Sequence, residues 1–183
     1  MSPRPSSREA ILDAAEAVVL EAGAANMTLD AVAAKAGLSK GGLIYNFPTK
    51  EALLEAMITR LLRRFEEELE QTAAALPQGP ARSLKAYVAA GLKEDERLQR
   101  VSAAMLAAAA NDPRLLDPMR DYYRKWFGEL SSGGLDPERA CIVSLATEGL
   151  WVLELLRLSP FSPQQRSRIV AALLRLAGEA ARG

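Results

Sequence analysis

The stretch TLDAVAAKAGLSKGGLIYNFPTKEALL, from Thr28 to Leu54, decides how this chain of 183 residues folds. Ala33 is small enough to lie where two helices cross, and Gly37, four residues later, tolerates the positive φ that a tight turn needs. Leu38 then supplies an apolar plug for the junction, and Ser39 begins the next helix as an N-cap. Two short helices joined by a glycine turn predict a helix-turn-helix, in which the helix after Ser39 is the recognition helix.

The flanking sequence predicts a helix on each side of this motif. Apolar residues at helical spacing between positions 11 and 22 predict a helix before it. Ser6 and Glu9 have the spacing of a capping box at the start of that helix. After the motif, Thr49 caps a long amphipathic helix of about residues 50–76.

Farther along the chain, an Asp or Ser followed by Pro marks several helix starts, because the first residue caps the helix and Pro is tolerated at its first position. The pairs are Asp112-Pro113, Asp136-Pro137 and Ser162-Pro163. Helical segments are predicted near 83–94, 96–110, 113–131, 137–158 and 163–181. No segment alternates like a strand. The sequence therefore predicts an all-α fold, with an N-terminal three-helix head joined by a long helix to a helical body.

Composition argues against several classes of function. Histidine is absent, and no glycine-rich phosphate loop follows a strand, so we expect neither an enzyme nor a bound metal or cofactor. The single cysteine, Cys141, cannot form an internal disulfide, which suits a reducing compartment. No apolar run approaches the roughly 18 residues of a membrane span, so we expect a cytoplasmic protein with no membrane partner. The formal net charge is 0, so affinity for DNA must depend on local charge placement.

Nine residues of the motif have the chemistry for contacting double-stranded DNA. Small and polar residues at the start of the recognition helix let its N-terminal end enter the major groove, and two glycines let its backbone approach the bases. Thr and Ser caps mark helix N-termini, which attract phosphate. Lys and Tyr suit phosphate or groove contacts, and Asn46 can donate to a phosphate or read an adenine edge. The predicted set is Thr28, Ser39, Lys40, Gly41, Gly42, Tyr45, Asn46, Thr49 and Lys50.

Two blocks of the motif, Ala33–Gly41 and Phe47–Leu53, have the patterns A-x-x-A-G-[VL]-S-x-G and F-P-[ST]-K-E-x-L. Together they resemble the TetR/AcrR family of bacterial transcriptional regulators. The likeness is close over about the first 55 residues and extends to the body only in length and helical layout. The recognition helix departs from the family pattern G-x-L-Y-x-[HY]-F at Ile44 and Asn46, so an operator sequence does not carry over from relatives.

The resemblance implies a helix-turn-helix DNA-binding domain in residues 1–50, with its motif at about 28–47, and a ligand-sensing and dimerisation domain in residues 51–183. It implies a repressor that binds a palindromic operator as a homodimer and is released by a small-molecule inducer. Two alternatives remain open. The first is a transcriptional activator of the same fold, and the second is a helical scaffold or ligand-binding protein with no DNA role.

The body offers residues for the small-molecule site that the resemblance implies. Such a site is mostly apolar with a few polar groups. Glu148 lies among apolar helical turns, where it would recognise a cation or a hydrogen-bond donor unless it lies at the surface or in an interface. Trp126 lies in a helix expected to face the 137–158 helix. The predicted ligand-binding residues are Met105, Tyr122, Trp126, Glu148 and Trp151.

The last two helices are the predicted dimer interface. Residues 140–158 and 169–180 are apolar around more than one stripe, as expected if one face packs in the core and another contacts a second chain. The alternative is that both helices only bury additional core within one chain.

Overall fold

The computed structural model describes residues 7–132 and 134–181. The helices in these ranges are α1 Ser7–Ala22, α2 Leu29–Ala36, α3 Lys40–Asn46, α4 Lys50–Ala74, α5 Arg82–Gly91, α6 Glu96–Asn111, α7 Asp117–Ser132, α8 Pro137–Leu155 and α9 Pro163–Glu179. An isolated antiparallel bridge pairs Leu135 with Ala181, but no strand forms within the described ranges. The prediction of an all-α fold is therefore confirmed.

The chain forms two compact units. The first extends to Leu62 and includes Glu96–Pro118, whereas the second comprises Arg63–Asp95 and continues from Met119. Helix α4 thus contributes its first half to one unit and its second half to the other. The first unit contains α1, α2, α3 and α6, and the second contains α5, α8, α9 and nearly all of α7.

The core of the first unit is formed where α1 packs against α2, α3 and α6. The apolar positions that helical spacing assigns to one face of each helix are the ones buried there, as Ile11, Val32 and Leu43 illustrate with no exposed surface. Burying side chains of this size contributes about 1.5–3 kcal/mol each before the entropy of ordering is counted. The short helices α2 and α3 depend on this packing, because isolated helices of their length are unstable in water.

The core of the second unit is formed by α5, which packs against α8 and α9 while these two pack against each other. Leu84 and Val88 on α5, Ala140 on α8 and Ala177 on α9 are fully buried there. None of the helices in the described part of the chain combines the length and apolar composition needed to cross a bilayer.

The caps predicted at Asp112, Asp136 and Ser162 are present in the structure. The Asp112 carboxylate accepts a hydrogen bond from the Arg114 backbone N–H at 3.2 Å, and that of Asp136 accepts one from the Arg139 backbone N–H at 3.1 Å. Ser162 and Gln165 form a complete capping box. The capping box predicted for the first helix involves Ser6, which lies outside the described residues.

The predicted helix over 113–131 is wrong at its start. Pro113–Leu116 form a turn of 3₁₀ helix, and α7 begins at Asp117. Pro118 explains the break, because it has no N–H to donate to the Arg114 carbonyl in a continuous α-helix. In the first turn of a new helix the missing N–H costs nothing.

Two predicted helix ends are also wrong. Helix α5 ends at Gly91 rather than near 94, and α8 ends at Leu155 rather than 158. The chain turns out of α8 through Arg157, whose φ is 56°, and the Leu158 N–H closes the turn on the Leu153 carbonyl at 2.7 Å. This left-handed closure is usually made by glycine, so an arginine there gives no sequence signal for a helix end.

Candidate DNA-binding surface and ligand site

The turn between α2 and α3 has the geometry that its sequence predicts. Gly37 lies in the left-handed region at φ 67° and ψ 30°, where a side chain would be strained. The Leu38 N–H donates to the Ala33 carbonyl at 3.0 Å, which closes the end of α2. The glycine is therefore required by the backbone of the turn.

The three predicted caps are all formed. Thr28 accepts from the Ala31 N–H at 3.1 Å, Ser39 from the Gly42 N–H at 3.2 Å, and Thr49 from the Ala52 N–H at 3.1 Å. Each hydroxyl satisfies a backbone donor that the first turn of a helix leaves unpaired. These caps fix where α2, α3 and α4 begin.

Helix α3 has a buried face and an exposed face. Leu43 is fully buried and Phe47, just after the helix, is 1% exposed, whereas Tyr45 is 91% exposed. A Cβ added at Gly41 would have nothing within 4 Å, and one at Gly42 would lie 3.4 Å from Ser39 Oγ. Packing among the residues that the structure describes therefore does not require either glycine, and the backbone of α3 is open to solvent at Gly41, one helical turn before Tyr45.

The polar groups predicted to contact DNA have partners within the chain. The Lys40 ammonium lies 3.0 Å from a carboxylate oxygen of Asp30, and the Lys50 ammonium donates to the Ala25 carbonyl at 2.8 Å. The Asn46 amide donates to the Gly42 carbonyl at 3.0 Å. A phosphate or base at this surface would have to compete with these contacts.

Arg8 lies in the first turn of α1, and its guanidinium lies 4.4 Å from the centre of the Phe47 ring. Its Nη1 also lies 3.5 Å from the Asn46 carbonyl oxygen. Arg8 thus stabilises the end of α3 through a cation–π contact and a weak hydrogen bond.

A buried ion cluster that the sequence did not predict joins α1 to the first half of α4. Arg60 on α4 donates to the Glu16 carboxylate, and both side chains are only 2% exposed. Its Nη1 also lies 2.7 Å from Asp13 and 3.3 Å from Glu9. Burial acts to lower the pKa of Arg60, but hydrogen bonds to Glu16 and Asp13 outweigh it and raise that pKa. From α6, Arg97 reaches the other Glu16 oxygen at 3.4 Å.

We expect Asp30→Asn to tighten DNA binding by about twofold to fivefold at low salt. The substitution removes the carboxylate that competes for the Lys40 ammonium, and exposed ion pairs of this kind contribute about 0.2–1 kcal/mol. Fluorescence anisotropy of the protein with operator DNA would measure the change. Glu21→Gln is the matched control, since it frees Lys35 from a similar exposed pair outside the recognition helix. An unchanged or weaker affinity for Asp30→Asn would show that Asp30 does not restrain a DNA contact.

The second unit contains a cluster of aromatic rings contributed by α4, α5 and α7. Tyr87 stacks on Trp126 with ring centres 4.4 Å apart, and Phe65 lies edge-on to both Tyr87 and Tyr122. Tyr123 in turn contacts the Tyr122 ring. These five residues, Phe65, Tyr87, Tyr122, Tyr123 and Trp126, are referred to below as the aromatic cluster.

Glu148 on α8 faces the aromatic cluster and is half-buried. The hydroxyl of Tyr123 donates to one of its oxygens at 2.8 Å, and the hydroxyl of Tyr87 donates to the other. Burial, followed by the Glu148 charge, raises the pKa of both tyrosines well above the ordinary value. Both phenols therefore stay protonated as hydrogen-bond donors.

The predicted ligand-binding residues divide between the two units. Tyr122 and Trp126 belong to the aromatic cluster, Glu148 faces it, and Trp126 also donates to Ser144 of α8 at 3.3 Å. Trp151 is half-buried three residues after Glu148 on the same helix, whereas Met105 is buried in α6 of the first unit. Sequence reasoning did not find Tyr87, because its distance of 61 residues from Glu148 leaves no local signal.

Part of the predicted dimer face is exposed in the single chain. Ile142 and Leu145 on α8 are 63% and 61% exposed, and Leu176 on α9 is 43% exposed. Large apolar side chains exposed together on packed helices are typical of a surface that another protein covers. Other residues of the same predicted stripes, such as Val143 and Leu173, are buried in the core.

Comparisons with known proteins identify an N-terminal and a C-terminal region of the chain separately. Residues 11–57 match the family model described as bacterial regulatory proteins, tetR family, and residues 81–178 match that of the tetracyclin repressor-like C-terminal domain. The HTH-type transcriptional regulator BetI of Yersinia pestis (strain Pestoides F) is 25% identical over 178 residues, covering 91% of this chain and 90% of that protein.

Solved structures have the same fold. A transcriptional regulator from Rhodococcus sp. Rha1 superposes with a TM-score of 0.74 at 24% identity, covering 96% of each chain. The SmeT–triclosan complex superposes with a TM-score of 0.71 at 25% identity, covering 94% of this chain and 91% of that one. Because the two family models together span most of the chain, this protein belongs to the TetR family and is a DNA-binding transcriptional regulator, not an enzyme.

Proposed function

We propose that the protein is a ligand-responsive repressor that binds a palindromic operator as a homodimer and releases it when a small molecule binds the body. The observation that carries the proposal is the exposed face of α3, where Tyr45 is 91% exposed and a Cβ added at Gly41 would have no atom within 4 Å among the described residues. The proposed functional division lies near residue 50, with the DNA-binding domain in 1–50 and the sensing and dimerisation domain in 51–183.

The proposed DNA contacts are the nine residues predicted from the sequence. The backbone N–H groups at the starts of α2, α3 and α4 would bind phosphates near Thr28, Ser39 and Thr49. Gly41 and Gly42 would allow close approach of the backbone to the bases, and Asn46 would contact a phosphate or an adenine edge. Lys40, Tyr45 and Lys50 would contact phosphates or the groove, once the two lysines exchange Asp30 and the Ala25 carbonyl for DNA.

The proposed dimer forms through the exposed faces of α8 and α9. Ile142, Leu145 and Leu176 would be buried there, in a four-helix bundle made of the same two helices from each chain. Two recognition helices related by a twofold axis would then contact half-sites roughly 34–36 Å apart. A dimer has twice the 19.7 kDa mass of the chain, so sedimentation at micromolar concentration would test this part directly.

The proposed inducer site lies in the second unit, at Tyr122, Trp126, Glu148 and Trp151. Met105 is buried in the first unit, so its predicted role in ligand binding stays a prediction. The SmeT–triclosan complex supports a body that binds small molecules. Phe65 of α4 is part of the aromatic cluster, so a ligand that rearranges the cluster would act on the helix that follows the recognition helix. A ligand weakens operator binding only by the difference in its affinity for the two forms.

We expect Tyr45→Ala to lower operator affinity at least tenfold without changing thermal stability, because the side chain is 91% exposed and has no packing role. Fluorescence anisotropy against DNA from just upstream of the protein's own gene, at two salt concentrations and with unrelated DNA as control, would measure this. Tyr45→Phe is the matched variant, and it should lose only what the hydroxyl contributes. If no selective sequence emerged even from random DNA, the repressor and activator readings would both fail and the scaffold alternative would stand.

A further inference from the structure

We propose that the second unit binds an organic cation, with the Glu148 carboxylate as its counter-ion and the aromatic cluster as its wall. This inference rests on the proposed function, because it names the chemical class of the small molecule proposed there. Four features support it. They are the Glu148 carboxylate, the other carboxylates near the aromatic cluster, the Tyr122 hydroxyl and the affinity of aromatic rings for cations.

Glu148 has hydrogen-bond donors but no counter-ion. Over residues 7–132 and 134–181, the partners of its carboxylate are the Tyr87 and Tyr123 hydroxyls, and no Lys or Arg forms an ion pair with it. Glu154 on the same helix differs, since Arg166 binds it at 2.6 Å. A neutral phenol stabilises a carboxylate without cancelling its charge, so a half-buried negative charge is left uncompensated beside apolar rings.

The surroundings of the cluster add to this negative potential. Burial raises the pKa of Tyr122 above its ordinary value, and the charges of Glu148, Glu66 and Glu129 raise it further. Three carboxylates from three different helices therefore act on one phenol. A weakly solvated region with charges of one sign attracts a ligand of the opposite sign.

The Tyr122 hydroxyl is independent evidence that the site lacks a polar partner. Tyr122 is 9% exposed, and its hydroxyl oxygen is buried without a hydrogen-bond partner in the described structure. Buried polar atoms in folded proteins are nearly always paired, so an orphaned one calls for an explanation. A ligand that enters beside Glu148 would supply that partner, or would bring its positive charge against the oxygen lone pairs.

The lining of the site decides between an organic cation and a metal ion. Metal ions such as Ca²⁺ and Mg²⁺ require several oxygen ligands, and in the described chain no group of three or more His, Cys, Asp or Glu is placed to hold a metal. Aromatic faces instead attract cations that are weakly hydrated and carry apolar substituents. Tyr and Trp rings around one carboxylate therefore fit an alkyl- or aryl-substituted ammonium, or a similar cation.

The test is isothermal titration of the full chain with three probes. Tetraphenylphosphonium and benzyltrimethylammonium are organic cations of two sizes, and tetraphenylborate has the shape of the first with the opposite charge. We expect at least one cation to bind, and tetraphenylborate to bind at least tenfold more weakly than that cation. This comparison uses the wild-type protein and so does not depend on how any variant folds.

Glu148→Gln then tests the carboxylate, because the amide keeps the shape and an acceptor oxygen but removes the charge. We expect its affinity for the cation to fall at least tenfold, while Glu138→Gln, an exposed control on the same helix, stays within twofold of wild type. Absence of binding by both cations, or equal cation affinity in Glu148→Gln and wild type, would overturn the inference. Operator binding without any probe is measured separately, so a failure of the cation site is distinguishable from a failure of the proposed regulator.

Discussion

Arg60→Leu should destabilise the first unit by about 3–5 kcal/mol, because it leaves the Glu16 carboxylate buried without its main partner. The Arg97 side chain also reaches Glu16, but it is 63% exposed and lies 3.4 Å away, so it compensates only in part. Urea unfolding followed by circular dichroism would measure the loss as a lower midpoint.

A second substitution separates the loss of an ion pair from the loss of packing. Replacing both residues, as in Glu16→Leu with Arg60→Leu, also removes the buried carboxylate that has lost Arg60 and should restore most of the stability. Arg97→Leu is the exposed control and should cost less than about 1 kcal/mol. A stability of Arg60→Leu within about 0.5 kcal/mol of wild type would mean that the cluster contributes nothing net to the fold.

Phe47→Ala should destabilise the head by about 3–5 kcal/mol, because the ring is 1% exposed and its removal leaves a cavity. The Arg8 guanidinium would also lose the ring that it covers at 4.4 Å. Since α3 has only seven residues and depends on tertiary packing, operator affinity should fall together with thermal stability. Thermal melts and anisotropy on the same sample would measure both.

The comparison with Tyr45→Ala makes the Phe47 result interpretable. Tyr45 lies on the exposed face of α3, so its loss should weaken DNA binding at unchanged stability, whereas Phe47→Ala should lower both. If Phe47→Ala kept its operator affinity and melting temperature, the buried face of α3 would not be what holds the recognition helix in place.

The head could be predicted from sequence because its signals are local. Thr28, Ser39 and Thr49 cap the helix that immediately follows each of them, and Gly37 is required by the backbone of its own turn. Such features depend on neighbours within four residues, so one sequence contains all the information they need. The same holds for the helix starts at Asp136 and Ser162.

The candidate ligand site and the ion cluster could not be predicted to the same degree, because their partners are distant in sequence. Arg60 and Glu16 are separated by 44 residues, and Tyr87 and Glu148 by 61. A lone Glu in an apolar helix gives no indication of which phenol will reach it, although it does indicate that some partner is needed. The end of α8 was missed for another reason, since Arg157 adopts a left-handed conformation that its residue type rarely takes.

The open backbone at Gly41 has a consequence for how this regulator can change. A Cβ added there has no atom within 4 Å among the described residues, and the neighbouring Tyr45 side chain is 91% exposed, while Leu43 and Phe47 are buried on the opposite side of the helix. If Gly41 and Tyr45 contact DNA as proposed, substitutions at these two positions would alter the choice of operator without lowering the stability of the fold. Under that proposal, divergence after gene duplication, or a laboratory library randomised at positions 41 and 45, would explore new DNA targets on a head that stays folded.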